Sequence, residues 1–368
     1  MANPIKRPDG RYELKFTVNG KRYTVYGKKK SECKDKETAK RAELAAGAYI
    51  TKENITIDQY FDRWLDTKRA EIEGSTIRSY KNRYKAISTT PIDSAGTPFG
   101  KLKLQKIETQ NVRDLQKALL PGRTTNTVNQ SVTLLRSVLQ TAVNERLISW
   151  NPAAPVKGLK RTEEAARDTI HKPLTREDTA KFLKAAETSH YKNLYVFLLN
   201  TGCRIGEAGA LYRTDINEKG MQISRTLTQT ENSNVIIGDD TKTEAGRRYI
   251  PLSAEARKAI QAQQEQNEAL YGNVIGIKQP IFRAPHGGFL VPSTVSRDMT
   301  RICKKAGLEK ITVHAFRATF ATRCVESGMS PKTLQEIMGH TNIRMTMDLY
   351  AHAMDETKEK QLSAVNFL

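Results

Sequence analysis

The chain has 368 residues, and its 60 Lys and Arg against 40 Asp and Glu leave a formal net charge of +20. That length exceeds one ordinary domain, and a field of that sign attracts polyanions rather than cationic partners. The excess runs through the whole chain, at +7 for residues 1–54, +8 for 55–160 and +5 for 161–368, as a partner touching all of it would require. Nucleic acid fits that description better than a small acidic substrate. Cys33, Cys203, Cys303 and Cys324 form no Cys-x-x-Cys pair and no Cys/His cluster, which argues against zinc and for free thiols in a reducing compartment. No run approaches the roughly 18 apolar residues of a membrane span, and the N-terminus has no apolar signal core. The expectation is a cytoplasmic protein with no membrane association and no cofactor.

Residues 1–54 open with a Pro8-Asp9-Gly10 turn signal. From Arg11 to Val18 the residues alternate, with Tyr12, Leu14, Phe16 and Val18 on one face and Arg11, Glu13, Lys15 and Thr17 on the other. Asn19-Gly20 is a strong hairpin signal, and Lys21 to Tyr26 resumes the alternation. A helix is predicted over Ser31 to Ala48. The expected unit is a small sheet with one helix on its apolar face, leaving a basic polar face uncovered. Strands can enter the major groove, so that face is a candidate DNA reader.

A short polar connection precedes a second region, 55–160. Tyr60, Phe61, Trp64 and Leu65 recur at helical spacing, and further helices are predicted at 75–87, 108–120 and 124–147, with Pro91 to Gly100 as a break. In the last of these, Val128, Leu135, Val138, Leu139 and Ala142 form one stripe. Trp150-Asn151-Pro152 should end the pattern, and residues 157–172, charged and poor in apolar side chains, read as a linker. The third region, 173–368, mixes helical patterns at 175–187 and 190–201 with β-type runs at 221–227, 233–238 and 247–252, then more helices. It is an α+β domain large enough to bury its own core.

Four local clusters in this third region carry chemistry only when taken together. Thr201-Gly202-Cys203-Arg204-Ile205-Gly206-Glu207 places an arginine where an apolar helix ends. Lys242 lies between two strand-like runs, at an expected hairpin tip. His314 and Arg317, three apart, share a helix face, while Phe316 and Phe320 point away from it. Gly339-His340 is followed ten positions later by Tyr350. Two guanidiniums can clamp the non-bridging oxygens of a phosphodiester and stabilise the charge that grows in its pentacoordinate transition state. A tyrosine hydroxyl can attack phosphorus and keep the bond energy in a covalent intermediate. A lysine or a histidine can protonate the departing sugar oxygen while the other helps remove the phenolic proton. This set is coherent for strand transfer without a metal ion.

In order and spacing, these clusters resemble the signature of the tyrosine recombinase (phage integrase) family. The N-terminal unit resembles the arm-site-binding domain of integrases from Gram-positive conjugative transposons and related phages. The resemblance implies a multidomain fold: an arm-site DNA-binding domain at 1–54, a helical, SAM-like core-binding domain at 55–160, and a catalytic domain with a C-terminal tail at 173–368. It assigns Arg204 and Arg317 to the scissile phosphate, Lys242 to the leaving 5′-hydroxyl as general acid, and His314 to the tyrosine proton. His340 becomes a hydrogen-bond donor to the phosphate, Glu207 a supporting carboxylate, and Tyr350 the nucleophile of a 3′-phosphotyrosine. Many members carry His after the second arginine, where this chain has Ala318; that position is not among the catalytic groups.

The resemblance further implies double-stranded DNA as partner, at core sites and arm sites, and a tetrameric synapse resolved through a Holliday junction. An excisionase and a host DNA-bending protein are further partners it raises, with the bacterial nucleoid as the place of action. The tail from Met354 to Leu368 is charged early and apolar at Leu362, Val365, Phe367 and Leu368, a pattern expected to pack on a neighbouring protomer or, alternatively, in cis. Two other readings stay open: a type IB topoisomerase-like strand transferase, which relaxes supercoils without exchanging partners, and a DNA-binding regulator with vestigial catalytic residues.

Overall fold

A computed structural model describes residues 3–18, 21–45, 54–160, 172–238, 246–272 and 279–354. The chain divides into two compact units, Met1–Arg161 and Thr162–Leu368.

The first unit begins with a three-stranded antiparallel sheet, β1 (Ile5–Lys6), β2 (Tyr12–Val18) and β3 (Lys21–Gly27), in the order β1-β2-β3. The predicted alternation is what folds it. Leu14 and Phe16 are buried with Cys33 of helix α1 (Lys30–Ala45), and Tyr12, Val18, Tyr23 and Val25 pack around them. Glu13, Lys15 and Thr17 are paired with Tyr26, Thr24 and Arg22 on the opposite face. There the Arg7 and Arg11 guanidiniums sit 5.5 and 5.9 Å from the centre of the exposed Tyr26 ring. The Val18–Lys21 pairing brackets Asn19-Gly20, which lies outside the described residues. Strand β1 was not expected: two residues carry no period, and only pairing with β2 makes them a strand.

The rest of this unit is helical: α2 (Ile57–Lys68), α3 (Gly74–Thr89), α4 (Thr109–Leu119) and α5 (Thr125–Asn144). Thr56 and Gln59 close a reciprocal cap on α2, which fixes where the helix starts. Its Tyr60, Phe61, Trp64 and Leu65 are buried, as their spacing predicts, against the Val128–Ala142 stripe of α5 and Ile77, Tyr84 and Ile87 of α3. Polar atoms that must enter this core find partners: Trp64 Nε1 donates to Thr141 Oγ1 at 3.1 Å and Tyr84 Oη to Asp58 Oδ1 at 3.0 Å. The chain after α5 folds back along that helix. Asn151 Nδ2 donates to the Arg136 carbonyl, and Arg136 donates to the carbonyls of Ala153 and Val156. Gln116 and Asn129 likewise hold Lys157 and Leu159. The start of the expected linker therefore belongs to the helical core; residues 161–171 lie outside the described residues.

The second unit opens with α6 (Arg176–Ala185), α7 (Lys192–Thr201) and the short α8 (Ile205–Gly209). Two two-stranded antiparallel sheets follow, pairing β4 (Gly220–Ile223) with β7 (Arg248–Pro251) and β5 (Thr226–Gln229) with β6 (Val235–Gly238). Helices α9 (Ala254–Tyr271), α10 (Pro292–Ala306), α11 (Val313–Glu326), α12 (Pro331–Met338) and α13 (Ile343–Met354) complete it. Its centre is aromatic: Phe182 meets the Tyr195 and Phe316 rings edge-on at 5.3 and 5.2 Å. This anchors α11 by Phe316, the residue beside Arg317. No helix among the described residues is long and apolar enough to cross a membrane.

Candidate active site

The site is built around the C-terminal end of α12. Like any helix end, this one leaves backbone carbonyls without intrahelical donors. Three consecutive ones are taken by three different guanidiniums. Arg248 Nε donates to Ile337 O at 2.6 Å, Arg317 Nη2 donates to Met338 O, and Arg204 Nη2 donates to Gly339 O at 3.3 Å. Positive charge at a helix C-terminus is electrostatically favoured. Gly339 itself adopts φ 63°, the left-handed cap that lets the chain leave the helix and present His340.

Each arginine arrives by a different local rule. Arg204 is the N-cap of α8, two residues after α7 ends at Gly202 with φ 63°. Its backbone N–H donates to Glu207 Oε2 at 2.9 Å, while Nη1 donates to Oε1 at 2.8 Å. Arg317 comes from α11 and is buried, with Nη1 donating to Gly202 O at 2.6 Å. Gly202 is thus both a turn and a ligand of the second arginine. A Cβ there would overlap Phe320 Cδ1 and would have to hold a left-handed backbone. Gly202→Ala should lower stability by about 2–4 kcal/mol, read as a lower denaturation midpoint; an unchanged midpoint would contradict this packing.

Among the described residues one carboxylate, Glu207, offsets part of this positive charge. Glu207 is buried, and burial would raise its pKa, but the hydrogen bonds and charge of Arg248, with Arg204, outweigh that and hold it at about 2. Its contribution to stability is complete above the ordinary carboxylate value and is lost as pH falls toward 2. Burial, and then Arg204, lower the Arg317 pKa to about 9, so the guanidinium remains charged at neutral pH. Burial followed by Arg317, Arg204 and Arg248 pushes His340 down to about 4, leaving a neutral imidazole. Its Nδ1 is 2.9 Å from Thr346 Oγ1, and Gln335 brackets its backbone on both sides. Cys203, beside the clamp, is held as the unreactive thiol: burial, then Glu207, push it up to about 12.

Tyr350 is carried by α13, and its ring is buried among Ala321, Cys324, Val325, Leu334 and Met338. The phenolic hydroxyl donates to the Met329 carbonyl. Burial, and then Cys324, raise its pKa, so attack by this oxygen requires a base. His314 is exposed on the first turn of α11, one turn before the buried Arg317. Lys242 lies outside the described residues. Of the described strands on either side of it, β6 pairs with β5 and β7 with β4. The structure therefore gathers Arg204, Glu207, Arg317 and His340 at one helix end. Arg248 was missed, although the signal was present: the strand period puts it on the same inward face as Ile250.

Three arginines and a histidine thus meet at one helix end, and the helix that follows carries a tyrosine. The profile of the Phage integrase family matches residues 172–357, half of the chain, and the chain belongs to this family, the tyrosine recombinases. An XerC-like tyrosine recombinase from Caldanaerobacter subterraneus is 24% identical over 100% of this chain and 98% of its own length. The transposase of transposon Tn916 from Enterococcus faecalis is 31% identical across 54% of this chain and 52% of its own. Among solved structures, the Tn1549 transposon integrase in complex with a circular intermediate DNA matches with a TM-score of 0.68 at 23% identity, covering 84% of this chain and 99% of that one. A lambda integrase tetramer bound to a Holliday junction matches at 0.60 and 19% identity, over 94% of each chain.

Proposed function

We propose that the chain is the integrase of a mobile genetic element, cutting and rejoining DNA through a 3′-phosphotyrosine on Tyr350. The observation that carries this reading is the convergence of Arg204, Arg317 and His340 on the end of α12, immediately before the helix that bears Tyr350. Tyr350 Oη attacks phosphorus, its bond to phosphorus forms as the bond to the 5′-oxygen breaks, and the 5′-hydroxyl leaves. His314 takes the phenolic proton and Lys242 supplies one to the leaving oxygen. Arg204 and Arg317 face the non-bridging oxygens. In the tautomer with its proton on Nε2, His340 accepts at Nδ1 from Thr346 Oγ1 and offers the Nε2–H to the phosphate as a hydrogen bond. Reversal by a 5′-hydroxyl from a second duplex gives a Holliday junction, and a second round resolves it.

The three-part division assigns arm sites to residues 1–54, the core site to 55–160, and chemistry to 173–368. The face on which Lys15 and Thr17 are exposed, together with Arg7 and Arg11, supports the first assignment. A tetramer on DNA is the working assembly, with the tail beyond Met354 reaching a neighbour; exposed Ile343, Met345 and Met347 on α13 support contact there. That tail lies outside the described residues. Excisionase and a host bending protein are further partners in this proposal, and the cytoplasm is its setting.

Incubating the protein with two duplexes bearing its attachment sites, in EDTA, tests the reading. Recombinant duplexes should form at the rate seen with Mg²⁺. Relaxation without exchange would favour a type IB topoisomerase, and a requirement for Mg²⁺ would favour carboxylate-metal chemistry.

A further inference from the structure

Arg248 stands behind the site rather than in it. Its side chain is 6% exposed, too enclosed to reach DNA, and its donors are spent inside the protein. Nη1 and Nη2 meet the two Glu207 oxygens at 2.9 and 2.7 Å, Nε meets Ile337 O at 2.6 Å, and Nη1 also meets Gly246 O at 3.2 Å. One planar fork thus ties three elements: strand β7, the carboxylate of α8 and the end of α12. Glu207 in turn grips both the amide and the guanidinium of Arg204. Resting on the strand-transfer reading above, we infer that Arg248 is a positioning residue for cleavage, aligning Arg204 through Glu207 and His340 through the Ile337 carbonyl.

The physical case is that neither partner holds its place alone. A buried carboxylate facing a single, half-exposed arginine would be pushed toward the neutral form and would release that arginine's geometry. The bidentate fork keeps Glu207 charged and fixes its plane, and a fixed plane fixes the direction of the Arg204 Nη1 bond. The same guanidinium pins the carbonyl three residues before His340, so clamp and histidine share one reference point. Lysine would keep the charge and lose the fork.

A double-mutant cycle on single-turnover cleavage of nicked DNA tests this, using the full-length protein with Arg248→Met, Glu207→Gln and the pair combined. Arg248→Met should slow cleavage about 10- to 100-fold with DNA affinity changed less than about threefold. It should also acquire a rate that climbs as pH rises through the raised Glu207 pKa, because Glu207 loses its strongest donor. The charged and titratable groups then facing that carboxylate are Arg204, Arg317 and Cys203. The double variant should lose this pH limb and cleave no more slowly than Glu207→Gln alone. Should the methionine variant not fold, Arg248→Lys with and without Glu207→Gln carries the same cycle, and its intermediate rate should collapse onto that of Glu207→Gln. Independent, multiplying effects with an unaltered pH profile would overturn the inference, as would wild-type cleavage by Arg248→Met. An absent Tyr350 adduct in the unsubstituted protein would instead overturn the strand-transfer reading itself.

Discussion

Tyr350→Phe should abolish covalent capture of DNA while leaving DNA affinity within about threefold of the parent protein. The ring is what packs: phenylalanine keeps every contact with Ala321, Cys324, Val325, Leu334 and Met338. What is lost is the attacking oxygen and its hydrogen bond to the Met329 carbonyl, whose net worth is about 0.5–1.5 kcal/mol. The fold tolerates such a loss, so binding and cleavage should separate cleanly. Capture on a nicked substrate, resolved by denaturing electrophoresis beside a binding isotherm, reads both. Equal losses of binding and capture would mean that Tyr350 serves packing alone.

Arg204→Lys should slow cleavage about a hundred- to a thousand-fold, the usual consequence of losing one preorganised charge-stabilising group. The charge is retained, so the loss comes from geometry. Arg204 spends Nη1 on Glu207 and Nη2 on Gly339 O while still facing outward, with 39% of its side chain exposed. An ammonium is a point donor on a flexible stem and cannot hold that carboxylate and that carbonyl while presenting a planar edge to phosphate. DNA affinity, drawn from many phosphate contacts, should change little. Near-parental single-turnover cleavage would remove Arg204 from the clamp.

Much of this architecture is legible in the residues because it is local. The alternation of Tyr12 to Val18, the stripe of α5 and the spacing of Tyr60 to Leu65 each state which face is buried, and the packing agrees. Arg204, Arg317 and His340 are legible for another reason: each follows a backbone break or a motif of fixed spacing. Less legible is whatever depends on contacts distant in sequence. β1 exists only by pairing with β2, and β6 and β7 pair with different strands although they are neighbours in the chain. The i, i+3 rule put His314 and Arg317 on one face but could not say that the helix sinks between them, exposing the first and burying the second. Nor could any spacing reveal that three guanidiniums would share the last carbonyls of α12. Arg248 was within reach, since a charged residue on the inward face of a strand demands a buried partner.

The most direct test of the central claim is the chemical identity of the attachment point. The protein is incubated with nicked DNA carrying its core site, denatured and digested, and the nucleotide-bearing peptide is sequenced. The adduct should survive hydroxylamine and map to Tyr350. A stable adduct on any other residue, or none on a core site the protein demonstrably binds, would contradict the account.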